Sequence, residues 1–183
     1  NSHFSVDATR EDLTKIPFVT IDPSDARDHD DAVYSHPDKD PSNIGGHVLW
    51  VAIADVAHFV KPGSALDKEA RKRGNSTYFA DRVVPMLPDR LSGDLCSIHE
   101  GIERPCLAVC MTIDKSGKKL KQTFHRAKIK SVASLNYEEV QKSVEGTVNE
   151  KVKPHFKNVI KPLYECYFCL KKSKDCRQPL DLD

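Results

Sequence analysis

Ile21-Asp22-Pro23-Ser24-Asp25-Ala26-Arg27-Asp28-His29-Asp30-Asp31 is the stretch on which the reading of this chain turns. Five carboxylates fall within ten residues, between one apolar, β-prone run (Phe18-Val19-Thr20-Ile21) and another (Ala32-Val33-Tyr34). Asp22-Pro23 stops the first strand, so the acidic segment is a loop between two strands. Two carboxylates gathered to about 5 Å repel by roughly 3 kcal/mol at an effective dielectric near 20. Several such pairs would exceed the stability of many domains. Convergence therefore demands bound cations or raised pKa values. The alternative is a loop splayed into water, where each repulsion falls below about 1 kcal/mol. Apolar pins on both sides favour convergence. In an extended chain Asp28 and Asp30 share one side while Asp31 points away, and Asp22 can reach back across the turn. A divalent-metal site and a solvated loop both remain open at this stage.

If a metal binds, oxygen-only donors select magnesium, manganese or calcium over zinc. A calcium EF-hand loop requires Glu at its twelfth position. Counting from Asp22, Asp25 or Asp28 gives Val33, His36 or Lys39 there, so that loop is excluded. Magnesium is held by a few carboxylates together with water and substrate phosphate. Two such metals about 4 Å apart clamp the attacking and leaving oxygens of a phosphoryl group.

Outward from the loop, residues 35–46 are dense in turn formers and predict a hairpin connection. Residues 47–60 predict one long buried strand, and the three β pieces predict a sheet with the acidic turn at one edge. Ser64 with Asp67 three residues on predicts a capped helix, carrying Arg71-Lys72-Arg73 in its last turn and ending at Gly74. Further strands are expected at 77–79, 107–113 and 120–129, the last two joined by a turn at 114–117. A helix is expected over 137–144, stopped by Gly146. Phe156, Val159, Ile160, Leu163, Tyr167 and Leu170 recur at helical spacing, with Pro162 kinking that helix or beginning a new one. Residues 179–183 look like the start of a strand. The fold class is α+β: a mixed, largely antiparallel sheet with helices packed on it, strand-rich over about 17–130 and helical over about 137–175.

The chain has 183 residues, 39% hydrophobic and 30% charged, enough for one domain with a real core. No apolar run approaches the length of a membrane span. No secretion leader is visible, and the six cysteines read as thiols of a cytoplasmic protein. A net charge of +1 hides a dipole: residues 1–60 sum to −7 and residues 118–177 to +9. A basic back half can hold a polyanion by its phosphates, although the runs Lys118-Lys119 and Lys171-Lys172 read first as solvated faces. Cys166-x-x-Cys169 and Cys96-x-x-His99 match no standard zinc spacing and read as ordinary thiols. Phosphate-binding glycine loops are absent, so no nucleotide cofactor is expected, and no nucleophile–base–orienter set stands out. Asp55, within an apolar strand, reads as a buried hydrogen-bonding group.

Pro17-Phe18-Val19-Thr20-Ile21-Asp22-Pro23-Ser24-Asp25-Ala26-Arg27-Asp28-His29-Asp30-Asp31-Ala32-Val33 resembles the signature of the RNB catalytic domain of the ribonuclease II and ribonuclease R family. The likeness continues, in the family's order, through Val51-Ala52-Ile53-Ala54-Asp55-Val56-Ala57-His58, Pro62-Gly63-Ser64-Ala65-Leu66-Asp67 and Arg73-Gly74-Asn75-Ser76-Thr77-Tyr78. It ends with Val84-Pro85-Met86-Leu87-Pro88 and Leu91-Ser92-Gly93-Asp94-Leu95-Cys96-Ser97. Residues 10 to about 135 carry it, closer to ribonuclease R, and the tail matches loosely.

The resemblance implies a magnesium-dependent, hydrolytic 3′→5′ exoribonuclease that releases 5′-mononucleotides from the 3′ end of single-stranded RNA. The family's four motif aspartates match Asp22, Asp28, Asp30 and Asp31, around two magnesium ions, with manganese as a substitute. Asp25 falls at a variable position. Tyr78 matches an aromatic that stacks on a base near the 3′ end; outside the motif it would read as a half-buried strand tyrosine. His29 stands where the family often has an apolar residue. The family's Ser-Pro-Ile-Arg-Arg-Tyr segment does not occur here, nor do its cold-shock and S1 RNA-binding domains. Residues 1–183 are thus expected to be the N-terminal part of an RNB catalytic domain, with little activity alone. Its partners are RNA and the remainder of the same polypeptide, with no role for a membrane. The rival expectation is a non-catalytic module that binds RNA or metal.

Overall fold

The computed structural model describes residues 9–26 and 28–177. Its frame is a seven-stranded sheet. In chain order the first strands are β1 (Glu11–Asp12), β2 (Val19–Asp22), β3 (Asp31–Pro37) and β4 (His47–Ala54). Two short helices follow, α1 (Val56–Phe59) and α2 (Ala65–Arg73), then a two-stranded ribbon of β5 (Thr77–Tyr78) and β6 (Val83–Val84). A π-helical turn at Leu91–Leu95 leads into the long hairpin of β7 (Glu103–Ile113) and β8 (Lys119–Lys130), and then β9 (Ala133–Asn136). Helices α3 (Tyr137–Val144), α4 (Lys153–His155) and α5 (Lys161–Cys176) close the described chain, with a π-helical turn at Phe156–Ile160 running into α5. Across the main sheet the order is β1-β8-β7-β4-β3-β2-β9. Both outer pairs, β1 with β8 and β2 with β9, are parallel, and the rest are antiparallel. The fold is the expected mixed, mostly antiparallel α+β arrangement.

The sheet's two faces are filled differently. Ala32, Ala52 and Ala108 stand side by side across β3, β4 and β7, and Ala54, Cys106 and Ala127 form the neighbouring row. These small side chains leave room for Leu13, Phe18 and Ile98 to pack with them. Val19, Ala133, Leu135 and Val140 gather with Val152, Val159 and Ile160 from the helical tail, while Leu49 and Ile113 meet Cys166 of α5. Strands covered on both faces need apolar residues in succession, which is why β4 reads as a continuous apolar run.

Several boundaries differ from the sequence expectation. The strand expected over 47–60 stops at Ala54, because Asp55 turns the chain into α1: its N–H donates to the Pro105 carbonyl at 3.0 Å. β9 was not foreseen, and it moves the acidic turn inward, since β2 now has a neighbour on each side. Ser64 caps α2 as expected, its Oγ accepting from the Asp67 N–H at 3.2 Å, and the chain leaves that helix at Gly74 with φ +77°. The Asp67 carboxylate, however, accepts from the Gly63 N–H rather than closing back on Ser64. Pro162 begins a helix instead of kinking one: it occupies the second residue of α5, where no intrahelical N–H bond is required. The strand expected at 179–183 lies outside the described residues.

Candidate functional site

Both ends of the acidic loop are set by the sheet. Asp22 is the last residue of β2, in register with Asn136 of β9, and Asp31 is the first of β3, opposite Ile53. A turn follows Asp22, closed by the Ala26 N–H donating to the Pro23 carbonyl at 3.1 Å, with Asp25 exposed on it. Beyond Asp28 the chain is tied down by backbone hydrogen bonds. The His29 N–H donates to Ser97 Oγ at 2.9 Å, and the His29 carbonyl accepts from the Ile98 N–H at 2.8 Å. The Asp30 carbonyl accepts from the Ala54 N–H at 2.9 Å. Ser97 and Ile98 are fully buried. Arg104 holds their segment by donating to the carbonyls of Ser97 (2.9 Å) and Asp94 (3.0 Å).

The side chains interact as well. His29 Nδ1 lies 2.7 Å from Asp22 Oδ2, with 16% of the imidazole and 13% of the carboxylate side chain exposed. The imidazole meets the His99 ring edge to face, centroids 5.9 Å apart. Burial raises the Asp30 carboxyl above its ordinary value; the charges of Asp28, Asp31 and Asp22 raise it further, and His29 pulls it down. Burial raises Asp31 too, and the Asp22 charge adds to it. Asp31 therefore does not stand apart, as strict strand alternation would have it, because residues 28–30 are irregular backbone and β3 begins only at Asp31. Asp22, Asp28, Asp30 and Asp31 share one electrostatic field.

That donor set fits a hard divalent cation in its chemistry: all oxygens, mutually repelling, on a loop with fixed ends. In arrangement it is open. Among the described residues no three His, Cys, Asp or Glu side chains close around one ion-sized point.

Tyr78 lies on the small β5–β6 ribbon and is 73% exposed, more open than a half-buried strand tyrosine. No described hydrogen bond, ion pair or ring contact joins it to the acidic loop. Its neighbour Phe79 is also exposed and carries the Arg82 guanidinium 4.8 Å from its ring centre. Neither that pair nor the anchoring of His29 was read from the sequence. Ser97, whose hydroxyl accepts from the His29 N–H, ends the family-like run at 91–97, so the sequence carried a signal for it.

Asp55 is a hydrogen-bonding group: Arg10 donates to it at 2.5 Å. Arg71 and Arg73 are engaged within α2 by Asp67 and Glu69, each about 3 Å away at 3.2 and 3.1 Å. All six cysteines are free, and burial pushes Cys96 up to about 11 and Cys106 up to about 12. An apolar groove of about 580 Å³ opens between the sheet and helices α3 and α5, lined by Ile21, Val33, Val140, Leu163, Tyr164 and Phe168. No helix among the described residues is long and apolar enough to cross a membrane.

Comparison with known proteins gives a consistent result. The family model described as RNB domain matches residues 10–183, which includes the tail where the motif likeness was loose. Ribonuclease R of Vibrio parahaemolyticus serotype O3:K6 is 44% identical over 177 residues, covering 95% of this chain and 20% of the relative. Among solved structures, Mycoplasma genitalium RNase R in complex with double-stranded RNA superimposes with a TM-score of 0.81 at 32% identity. That match covers 96% of this chain and 31% of the other. The same enzyme in complex with ribose methylated single-stranded RNA gives 0.80 at 33% identity, covering 94% and 26%. The chain thus spans about a fifth of the length of the curated relative and under a third of the solved ones.

Proposed function

The chain belongs to the RNB domain family, and on that premise we propose that it is the metal-holding front part of a hydrolytic 3′→5′ exoribonuclease. The whole enzyme releases 5′-mononucleotides from single-stranded RNA in the cytoplasm, without a nucleotide cofactor. Asp22, Asp28, Asp30 and Asp31 hold two magnesium ions, or manganese in their place, directly or through water. Bound magnesium supplies charge neutralisation and activation of the attacking water at the scissile phosphate. The observation that carries this reading is the shared field of the four carboxylates on a loop held by β2 and β3 at its ends and by backbone hydrogen bonds at His29 and Asp30. Groups so held need little reorganisation when a phosphate arrives, which is where enzymes gain most.

The other parts follow the same chemistry. β2 and β3 fix the outer carboxylates, Asp22 and Asp31, and the bond from Ala54 to the Asp30 carbonyl fixes the last turn before β3. Tyr78 presents an exposed ring on which a base near the 3′ end stacks, a contact tolerant of sequence. The remainder of the polypeptide supplies the positive charge facing the phosphate, so the 183-residue chain alone turns over RNA negligibly.

In the full-length enzyme Asp30→Asn is expected to lower turnover by on the order of a thousandfold, since several kcal/mol of metal-held charge is lost at about tenfold per 1.36 kcal/mol. RNA affinity should stay near the parent value, because basic and aromatic contacts supply it. A variant with normal turnover removes Asp30 from the reaction. The open arrangement of the carboxylates favours one second reading, a non-catalytic module that binds RNA or metal. Labelled single-stranded RNA with magnesium separates the two in the full-length protein, where only the enzyme yields mononucleotides.

A further inference from the structure

His29 is the residue of the acidic loop that the fold holds most closely. Its N–H goes to Ser97 Oγ and its carbonyl receives the Ile98 N–H, at 2.9 and 2.8 Å, so both backbone groups are tied to a buried segment. Its ring is packed edge to face against His99. From that fixed position Nδ1 stands 2.7 Å from Asp22 Oδ2, with both side chains largely buried. A carboxylate only accepts hydrogen bonds, so Nδ1 carries the proton and donates. A freely rotating carboxylate at the end of β2 would present either oxygen in any direction. Here Oδ2 is engaged by a fixed donor, which restricts rotation of the group and leaves Oδ1 as the oxygen for a cation.

We infer that His29 is a positioning residue: it orients Asp22 so that one oxygen of that carboxylate is presented to the metal site. The inference rests on the proposed metal-holding role of the loop and extends it to a side chain that contributes no ligand. Hydrogen bonds to ligating groups matter to metal sites generally, and their loss weakens binding by about ten- to a hundredfold. His29 supplies what aliphatic or phenyl side chains of similar size, which would fill its place, lack: an N–H donor to Asp22.

The test is a manganese titration of the 183-residue chain, followed by calorimetry and by the electron paramagnetic resonance of the bound ion. His29→Phe keeps a ring and removes the donor; His29→Asn sets an amide N–H close to the place of Nδ1. The expected result is saturable binding by the parent, about tenfold or more weaker in His29→Phe, with recovery in His29→Asn to within about threefold of the parent. The spectrum of the bound ion should change in His29→Phe and return in His29→Asn. Equal affinity in all three overturns the positioning role while leaving the metal site standing. Weak binding in both variants also overturns it, assigning the effect to ring packing. Absence of saturable binding by the parent overturns the metal reading itself and the positioning role with it. If His29→Phe fails to fold, nitrogen-15 resonances of the parent decide: a protonated Nδ1 whose signal shifts in Asp22→Asn upholds the inference, and an unprotonated Nδ1 overturns it.

Discussion

Arg10 carries a full charge into the interior, its side chain without solvent exposure. Its guanidinium donates to Asp55 at 2.5 Å and to the carbonyls of Cys106 and Ala127 at 3.3 and 3.4 Å, tying the start of the described chain to β7, β8 and the end of β4. Burial alone would raise the Asp55 carboxyl; the hydrogen bond and charge of Arg10, with help from Arg126, outweigh it and hold the group below its ordinary value. A lowered folded pKa means a contribution present above the unfolded value of about 3.9 and lost as the pH falls through the folded one. Arg10→Met should therefore cost about 3 kcal/mol near neutral pH, since it strands a partly buried carboxylate. Urea unfolding at a series of pH values should show the gap to the parent narrowing below about pH 4. At this scale the acidic loop was legible because apolar runs bracket it, while the choice of Asp22, Asp28, Asp30 and Asp31 within it came from the family resemblance. The Asp22–His29 bond was not, because it depends on which way an imidazole turns once Ser97 has fixed its backbone.

The elements were legible where local chemistry sets them. Ser64 and Gly74 mark the ends of α2, and α3 occupies residues 137–144 as expected, capped by a reciprocal pair between Asn136 and Glu139. β9 was illegible because Ala-Ser-Leu-Asn has no period of its own, and its partner β2 lies more than a hundred residues earlier. The β7–β8 turn is a case where turn residues foretold the hairpin but not its packing. Gly117, at φ +82°, closes that turn directly against α5: a Cβ there would lie 2.1 Å from the Cys169 carbonyl oxygen. That neighbour is backbone and cannot swing aside. Gly117→Ala combines a strained φ with this overlap and is expected to lower stability by about 2 kcal/mol or more. Thermal melting checks it, and Gly63→Ala serves as the comparison, since that glycine has a similar φ of +76° but open space where its Cβ would be.

For the molecule as a whole, the sum of repulsions in the acidic loop is a standing cost that any bound cation relieves. A ligand that binds only the folded state stabilises it by about 2.7 kcal/mol at a hundred times its dissociation constant. Magnesium is therefore expected to raise the melting temperature of the parent chain. The Asp30→Asn chain should start with less repulsion and gain less from the ion. Equal gains in the two would place the ion elsewhere. The α+β architecture was open to sequence reading because hydrophobic pattern and turn chemistry agree along most of the chain. The sheet order was not, since pairing partners far apart in sequence leave no local trace.

The two parallel outer pairs have a consequence for how the molecule is made. Glu11 lies beside Ala127, and Asp22 beside Asn136, so β1 has no strand partner, and β2 only β3, until the chain has grown past those later residues. Long-separated pairings of this kind slow folding. On the ribosome, the aspartate-rich loop would leave the tunnel before the strand on the outer side of Asp22 has been made. The outer neighbour of Asp22 is in place only when the segment ending at Asn136 has cleared the exit tunnel, so until then the loop is braced by β3 alone on that side of the sheet.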